Sequence, residues 1–133
     1  EDSTRLLLEQ AGLGDRLECH PYQLSFGEKR RLNLVAALLH GPSLILVDEF
    51  LIGQDMVNAD RWMKFLKEFT TTGKSILMVI HHPELTLKYC ERLIFLDDGK
   101  VLVDEPTKTA FTKLAKLNYH AFLPDVHWEL KNA

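Results

Sequence analysis

The order of apolar and polar residues predicts alternating helices and short strands. Apolar positions with helical spacing indicate one helix from Glu28 to His40 and another from about Met56 to Thr70. Two short, continuous apolar runs, Leu44–Val47 and Ile76–Ile80, predict parallel strands buried on both faces. A strand, a helix and a strand in this order form a βαβ unit, so the middle of the chain is predicted to be α/β.

A helix precedes this unit, and a helix and a hairpin follow it. A leucine-rich amphipathic stretch predicts a first helix that ends near Gly12, and a later helix is expected from Pro83 to Cys90. The run Asp97-Asp98-Gly99 is a turn signal between the strands Leu93–Leu96 and Val101–Val103. These two strands are therefore expected to form a hairpin at the edge of the sheet.

The C-terminal region predicts one more helix and an apolar tail. The helix begins near Pro106 and runs to about Leu117. The tail contains Tyr119, Phe122 and Trp128, which is too much apolar surface for a free linker. We expect the tail to pack on the domain or on a partner.

Composition limits the classes of function. The chain has 133 residues, 46% of them hydrophobic, and a formal net charge of −3, which is typical of one small globular unit without a broad cationic surface. Nucleic-acid binding is therefore not predicted. The two cysteines, Cys19 and Cys90, lie far apart and outside any CxxC motif, as expected in a reducing compartment. No apolar run is long enough to span a membrane and the N-terminus is acidic, so a cytoplasmic location is expected.

Two adjacent carboxylates follow the first predicted strand. Asp48 and Glu49 stand at its C-terminal end, the edge at which open parallel sheets place their ligand sites. One carboxylate there can hold a magnesium ion, and its neighbour can orient and deprotonate a water molecule. The alternative is a solvated acidic turn without a catalytic role.

The segment from Leu24 to Glu49, LSFGEKRRLNLVAALLHGPSLILVDE, resembles the signature and Walker B motifs of ABC ATPases. The resemblance implies that Ser25 and Gly27, with Glu28 beside them, bind the γ-phosphate of an ATP held by the opposite subunit. Ser25 and Glu28 also have the spacing of a helix capping box, which is compatible with that role. Phe26 departs from the pattern, since glycine is usual at this position, and its bulk would alter packing against the partner's nucleotide.

Two further residues match the family by position. Asp55 aligns with the aspartate of the D-loop, whose usual small residues are poorly kept here, and it could equally be the cap of the following helix. His81 lies 33 residues after Asp48, at the place of the switch histidine that helps to bind the γ-phosphate. His81 and His82 could also suggest a metal site, but no third ligand is evident nearby.

The triplet Gly73-Lys74-Ser75 imitates the end of a phosphate-binding loop. A true loop requires glycine five positions before Gly73, where the chain has Glu68, and it leads from a strand into a helix. Here the triplet leads from a predicted helix into a predicted strand. We interpret it as a helix C-cap followed by a solvated lysine.

The resemblance implies a partial P-loop NTPase fold of the ABC type, with a mostly parallel sheet, flanking helices and a C-terminal hairpin and helix. The Walker A strand is absent from this sequence, and its loss would expose strand edges and a large apolar face. Residues 1–24 would be a remnant of the helical subdomain, 25–106 the core from signature to switch histidine, and 107–133 a C-terminal helix and tail.

The implied function is that of the ATP-binding and ATP-hydrolysing subunit of an ABC transporter. Its cofactors would be ATP and Mg²⁺, with Glu49 and His81 catalytic and Asp48 at the metal. Its partners would be a second ATPase subunit in a head-to-tail dimer and transmembrane transporter subunits at the inner face of the membrane. This segment alone is expected to be inactive. The C-terminal extension mildly resembles the energy-coupling-factor or cobalt type of importer.

Two alternatives remain open on the sequence. One is a segment of a chromosome-maintenance or DNA-repair ATPase, which carries the same motifs but reaches them from a long heptad-bearing helix. Gly12, Gly14 and Pro21 interrupt the upstream stretch here, which disfavours that reading. The other is a non-catalytic interaction module of ABC shape, which Phe26 and the irregular D-loop would support.

Overall fold

The computed structural model describes residues 2–125 of the chain, which form α-helices and short β-strands. The elements are α1 (Asp2–Gln10), α2 (Phe26–Leu39), β1 (Leu44–Val47), α3 (Met56–Thr70), β2 (Ser75–Met78), α4 (Pro83–Tyr89), β3 (Arg92–Asp97), β4 (Lys100–Pro106) and α5 (Thr107–Lys116). Short 3₁₀ turns occupy Gly14–Arg16, Pro21–Gln23 and His120–Phe122. The predicted α/β class is confirmed, and most element boundaries agree within two residues.

These elements form two compact units. Unit 1 comprises the residues up to Phe50 together with Phe65–Val79, and unit 2 comprises Leu51–Lys64 together with the residues from Ile80 onward. The predicted division at residues 24 and 106 follows motif boundaries rather than compactness, and it stays a prediction. Within residues 2–125, no helix combines the length and the apolar character needed to cross a bilayer.

Unit 1 is built from helix α2 and a parallel pair of strands. The helix begins where the Ser25 side chain caps it, and its inner face buries Leu34, Val35 and Leu38. Strands β1 and β2 pair in parallel, with Leu44 opposite Ser75. The predicted parallel pairing of these strands is thus confirmed.

The expectation that these strands are buried on both faces was wrong for the described residues. Ile45 and Val47 of β1 are buried, whereas the alternate residues Leu44 and Leu46 are exposed, Leu46 at 70%. Side chains alternate between the faces of a strand, so only one face of β1 is covered. Leu77 of β2, which pairs with Leu46, is exposed as well. An apolar face of this sheet is therefore open, as predicted for a sheet without its Walker A strand.

Unit 2 contains the predicted hairpin. Strands β3 and β4 pair antiparallel through a two-residue turn at Asp98 and Gly99, both of which have positive φ angles. That conformation matches the twist of a two-residue hairpin. The hairpin forms its own two-stranded sheet, so its predicted place at the edge of the β1–β2 sheet is not observed among the described residues. Within residues 2–125, no strand pairs with both the β1–β2 sheet and the β3–β4 hairpin.

Helix α5 packs against the hairpin and forms the core of unit 2. The buried cluster joins Val103 of β4 to Ala110, Phe111 and Leu114 of α5. The aromatic tail adds to it, because the rings of Tyr119 and Phe122 each lie 5.1 Å from the ring of Phe95. The predicted packing of the tail is confirmed for these two residues, and Trp128 lies outside the described residues.

Candidate functional site

The N-terminus of α2 carries the three residues predicted from the signature motif. The Glu28 backbone N–H donates to Ser25 Oγ over 3.2 Å, and the Ser25 backbone N–H donates to Glu28 Oε2 over 2.8 Å. This reciprocal pair is the predicted capping box. Gly27 lies between them in the first turn of the helix. The hydroxyl group of Ser25 accepts a bond in the cap and still has its own proton to donate.

An arginine from outside the motif completes this network. Arg16 Nε donates to Glu28 Oε1 over 2.9 Å, so both carboxylate oxygens of Glu28 are engaged. These bonds lower the pKa of Glu28 from 4.5 to about 2, with the Ser25 backbone N–H as the largest cause, then the Ser25 hydroxyl and then Arg16. Glu28 is therefore ionised at neutral pH.

Phe26 projects outward beside Ser25. Its side chain is 74% exposed, and the guanidinium carbon of Arg30 lies 5.0 Å from the centre of its ring. Phe26 thus places an exposed aromatic ring and a neighbouring cation beside the helix cap. The neighbouring residue Ser25 caps α2 even with Phe26 beside it.

The carboxylates Asp48 and Glu49 directly follow β1 and are exposed. Glu49 has a φ angle of +46°, the left-handed region that glutamate rarely adopts. The Arg30 guanidinium donates to the backbone carbonyl of Glu49 over 3.4 Å, which connects α2 to the end of the strand. Such conformations persist where the surrounding structure holds them, and they concentrate at functional sites.

Asp55 caps helix α3 in unit 2. The Asn58 backbone N–H donates to Asp55 Oδ1 over 2.9 Å, and the Asn58 side-chain amide approaches the other oxygen. The pKa of Asp55 is lowered, chiefly by the bond from the Asn58 backbone. The capping interpretation of Asp55 is thus confirmed, and its D-loop role stays a prediction.

His81 lies in the connection between β2 and α4 and is exposed. Strand β2 ends at Met78, earlier than the predicted end at Ile80, although Val79 still donates a backbone bond to Val47. His82 provides the carbonyl that accepts the first helical bond of α4, from Thr86. Residue His81 therefore keeps its predicted position after the strand, and its catalytic role is a prediction.

The structure brings Ser25, Gly27, Glu28, Asp48 and Glu49 into one compact unit, and it places Asp55 and His81 in the other. Two arginines of the first unit were missed from the sequence, Arg16 and Arg30. Their partners lie 12 and 19 residues away, and no local spacing signal marks such pairs.

No three carboxylate, imidazole or thiol groups converge on a metal position among residues 2–125. A magnesium site from this part of the chain would therefore rely on Asp48 with oxygen atoms from a bound triphosphate and water, which is the usual way that Mg²⁺ is held. The exposure and the strand-end position of Asp48 fit such a role.

The Gly73-Lys74-Ser75 triplet follows α3 and leads into β2, so it is not a phosphate-binding loop. Gly73 has a φ angle of +78° beyond the end of the helix. Lys74 is not simply solvated as predicted, because its ammonium nitrogen lies 4.9 Å from the centre of the Phe69 ring.

Comparisons of sequence relate the chain to ATP-binding proteins of ABC transporters. It is 41% identical to an uncharacterised ABC transporter ATP-binding protein of Methanocaldococcus jannaschii over 72% of the chain and 42% of the relative. It is 29% identical to an ABC transporter ATP-binding protein of Methanosarcina acetivorans over 92% of the chain. A macrolide export ATP-binding/permease protein of a Shewanella strain is 34% identical over 89% of the chain. No protein-family profile matches.

Solved structures with the same fold are ATP-binding cassettes. A dimeric cassette bound to ADP and phosphate is 32% identical to the chain, with a TM-score of 0.66 over 76% of the chain and 44% of the cassette. The cbiO1 cassette of Clostridium perfringens, part of an ABC transporter complex, has a TM-score of 0.69 at 23% identity, which concerns the fold alone. The cobalt-importer type therefore stays a prediction.

The chain spans only 16 to 42% of the first curated relatives and less than half of these solved cassettes. The similarity nevertheless covers most of the chain itself, and the α/β arrangement of the described residues agrees with it. The chain is therefore a relative of the ABC transporter ATP-binding proteins, and its fold is that of the C-terminal part of their P-loop NTPase domain.

Proposed function

We propose that this chain supplies the signature, Walker B, D-loop and switch-histidine segments of an ABC transporter subunit that binds and hydrolyses ATP. The observation that carries the proposal is the end of β1, where Asp48 and Glu49 are exposed and Glu49 is held in a left-handed conformation. A glutamate in this rarely adopted conformation at the edge of a parallel sheet supports a functional role for the turn.

The N-terminus of α2 provides the groups that would bind the phosphate. Ser25 can donate its hydroxyl proton, and the backbone N–H groups of the first turn, including that of Gly27, carry the positive end of the helix dipole. Such an arrangement suits a phosphate oxygen. In this proposal Ser25 and Gly27 contact the γ-phosphate, and Glu28 positions Ser25.

In this proposal Glu49 is the general base. Its carboxylate is exposed at the sheet edge, so an attacking water could reach it and lose a proton to it. Asp48 would hold Mg²⁺, which supplies charge neutralisation at the phosphates when bound. His81 would donate a hydrogen bond to the γ-phosphate, and Asp55 would act in the D-loop while capping α3.

Two copies are needed because the proposed roles divide between two nucleotides. Ser25 and Gly27 of one subunit would face the ATP that is held by the other, while Glu49 and His81 would act on the subunit's own ATP. A head-to-tail dimer meets this requirement, and the dimeric cassette that is 32% identical supports it. Transmembrane transporter subunits would be the further partners, as the relative named an ATP-binding/permease protein suggests.

The open apolar face of the β1–β2 sheet supports a larger active domain. Leu46 and Leu77, directly paired across the strands, are both exposed. Leaving such a face in water is unfavourable, and a segment that carries the phosphate-binding loop would cover it. We call this chain, joined to a segment that carries the phosphate-binding loop, the complete domain.

The first test compares ATP turnover by this chain with turnover by the complete domain. The isolated chain is expected to show none, because it has no loop and lysine to cradle the phosphates. The complete domain is expected to hydrolyse ATP without added DNA. ATP binding without turnover by the complete domain would instead identify a non-catalytic module, and turnover that requires DNA would identify a DNA-repair ATPase.

A further inference from the structure

A three-residue chain of hydrogen bonds leads from outside the signature motif to its serine. Arg16 Nε donates to one oxygen of the Glu28 carboxylate, over 2.9 Å, and the Ser25 backbone N–H donates to the other over 2.8 Å. Arg16 lies in the 3₁₀ turn Gly14–Arg16, which precedes α2 in the chain. The rigid carboxylate plane therefore couples the guanidinium of Arg16 to the backbone of Ser25.

The negative charge of Glu28 also affects phosphate binding at Ser25. A carboxylate in the first turn of α2 helps to cap the helix, but its negative charge would also repel a phosphate that approaches Ser25. Arg16 compensates that charge at hydrogen-bonding distance. The side chain of Glu28 is only 15% exposed while that of Arg16 is 52% exposed, so water screens the carboxylate less than the arginine.

We propose that Arg16 is a positioning residue for the phosphate-binding site, acting through Glu28 to orient Ser25 and to neutralise the carboxylate beside it. The inference rests on the function proposed above. It assigns to Arg16 no contact with ATP and no part in proton transfer. Its effect should therefore appear in the ATP concentration that half-saturates turnover, and only slightly in the maximal rate.

The test is a double-mutant cycle in the complete domain, with Arg16→Ala, Glu28→Gln and the double variant. A glutamine keeps an oxygen that can accept from the Ser25 N–H, and it removes the charge. Arg16→Ala alone should raise the half-saturating ATP concentration roughly two- to fivefold, a range set by the strength of exposed ion pairs. In the Glu28→Gln background the same change should have almost no effect.

Several outcomes would overturn the inference. An equal effect of Arg16→Ala in both backgrounds would show that the arginine only supports the local fold. An effect confined to the maximal rate would also contradict it. Arg16→Lys keeps the charge without the planar donor group, so it should restore part of the loss, and no rescue at all would argue against charge compensation.

A second readout needs no ATP. The pKa of Glu28 is held near 2 mainly by Ser25, with a smaller contribution from Arg16. In the isolated chain, an NMR titration of the Glu28 carboxyl group should show a pKa that rises in Arg16→Ala and stays below 4.5. An unchanged pKa would mean that the guanidinium does not engage the carboxylate in solution.

Failure of this inference can be told apart from failure of the proposed function. If Ser25→Ala leaves the half-saturating ATP concentration unchanged, the phosphate site itself is wrong. If Ser25→Ala raises that concentration while the Arg16 and Glu28 changes are simply additive, only the positioning role of Arg16 is wrong.

Discussion

Glu49→Gln is expected to lower ATP turnover by the complete domain by about a hundredfold or more, while ATP binding stays close to that of the unchanged protein. The expectation follows from the loss of a general base, which contributes about 10²- to 10⁴-fold to such reactions. Glutamine has nearly the same size and the same backbone preferences as glutamate. The left-handed conformation of residue 49 therefore costs much the same in both proteins.

The measurement is steady-state phosphate release, together with nucleotide binding under conditions that prevent turnover. Glu68→Gln is the matched control, because Glu68 is an exposed glutamate of α3 outside the proposed site. It should leave turnover unchanged. Turnover by Glu49→Gln within a few fold of the unchanged protein would remove Glu49 from the role of base.

The second large effect concerns stability. Phe111→Ala is expected to lower the free energy of unfolding of unit 2 by about 3 to 5 kcal/mol, because Phe111 is 2% exposed at the centre of the α5 core. Because the core is close-packed, neighbouring side chains cannot fill the space that the ring leaves, and a cavity remains. This loss is a large share of the stability of a small domain.

Amide hydrogen exchange of the β3 and β4 strands measures this effect, because these strands open when unit 2 unfolds. Phe122→Ala is the matched control, since Phe122 is 51% exposed and contributes mainly an edge contact with Phe95. It should cost only about 1 kcal/mol. Equal losses for both variants would show that α5 does not form the core described here.

Local patterns in the sequence predicted much of this fold, and the reasons are physical. The capping box depends on residues three apart, Ser25 and Glu28, so its spacing is visible in the sequence. The turn at Asp98 and Gly99 is equally local, because both residues tolerate positive φ angles. A short apolar run with carboxylates at its end predicts strand β1.

Features that depend on distant neighbours were not predictable in the same way. The apolar run of β1 gave no sign that only Ile45 and Val47 would be covered, because burial depends on what packs against each face. The bond from Arg16 to Glu28 joins residues 12 apart through a 3₁₀ turn that the sequence did not reveal. The aromatic contact of Lys74 with Phe69 likewise depends on the path that the chain takes after α3.

The central claim is that Ser25 and Glu49 of one subunit serve two different nucleotides, and mixing two inactive variants tests it most directly. Ser25→Asp keeps a good helix cap but places a carboxylate against the phosphate, so it is expected to lower turnover at least as far as Glu49→Gln is. In a head-to-tail dimer of the two variants, both defects fall in one site and the other site is intact.

A one-to-one mixture of these complete domains should therefore recover about a quarter of the unchanged turnover, because half of the randomly formed dimers are mixed and each has one intact site of two. A mixture of Glu49→Gln with Asp48→Asn is the control and should recover nothing. Both changes affect the subunit's own nucleotide, so every site in every dimer is defective. If the Ser25→Asp and Glu49→Gln mixture remains as inactive as its components, the two residues do not act on separate nucleotides and the account is contradicted.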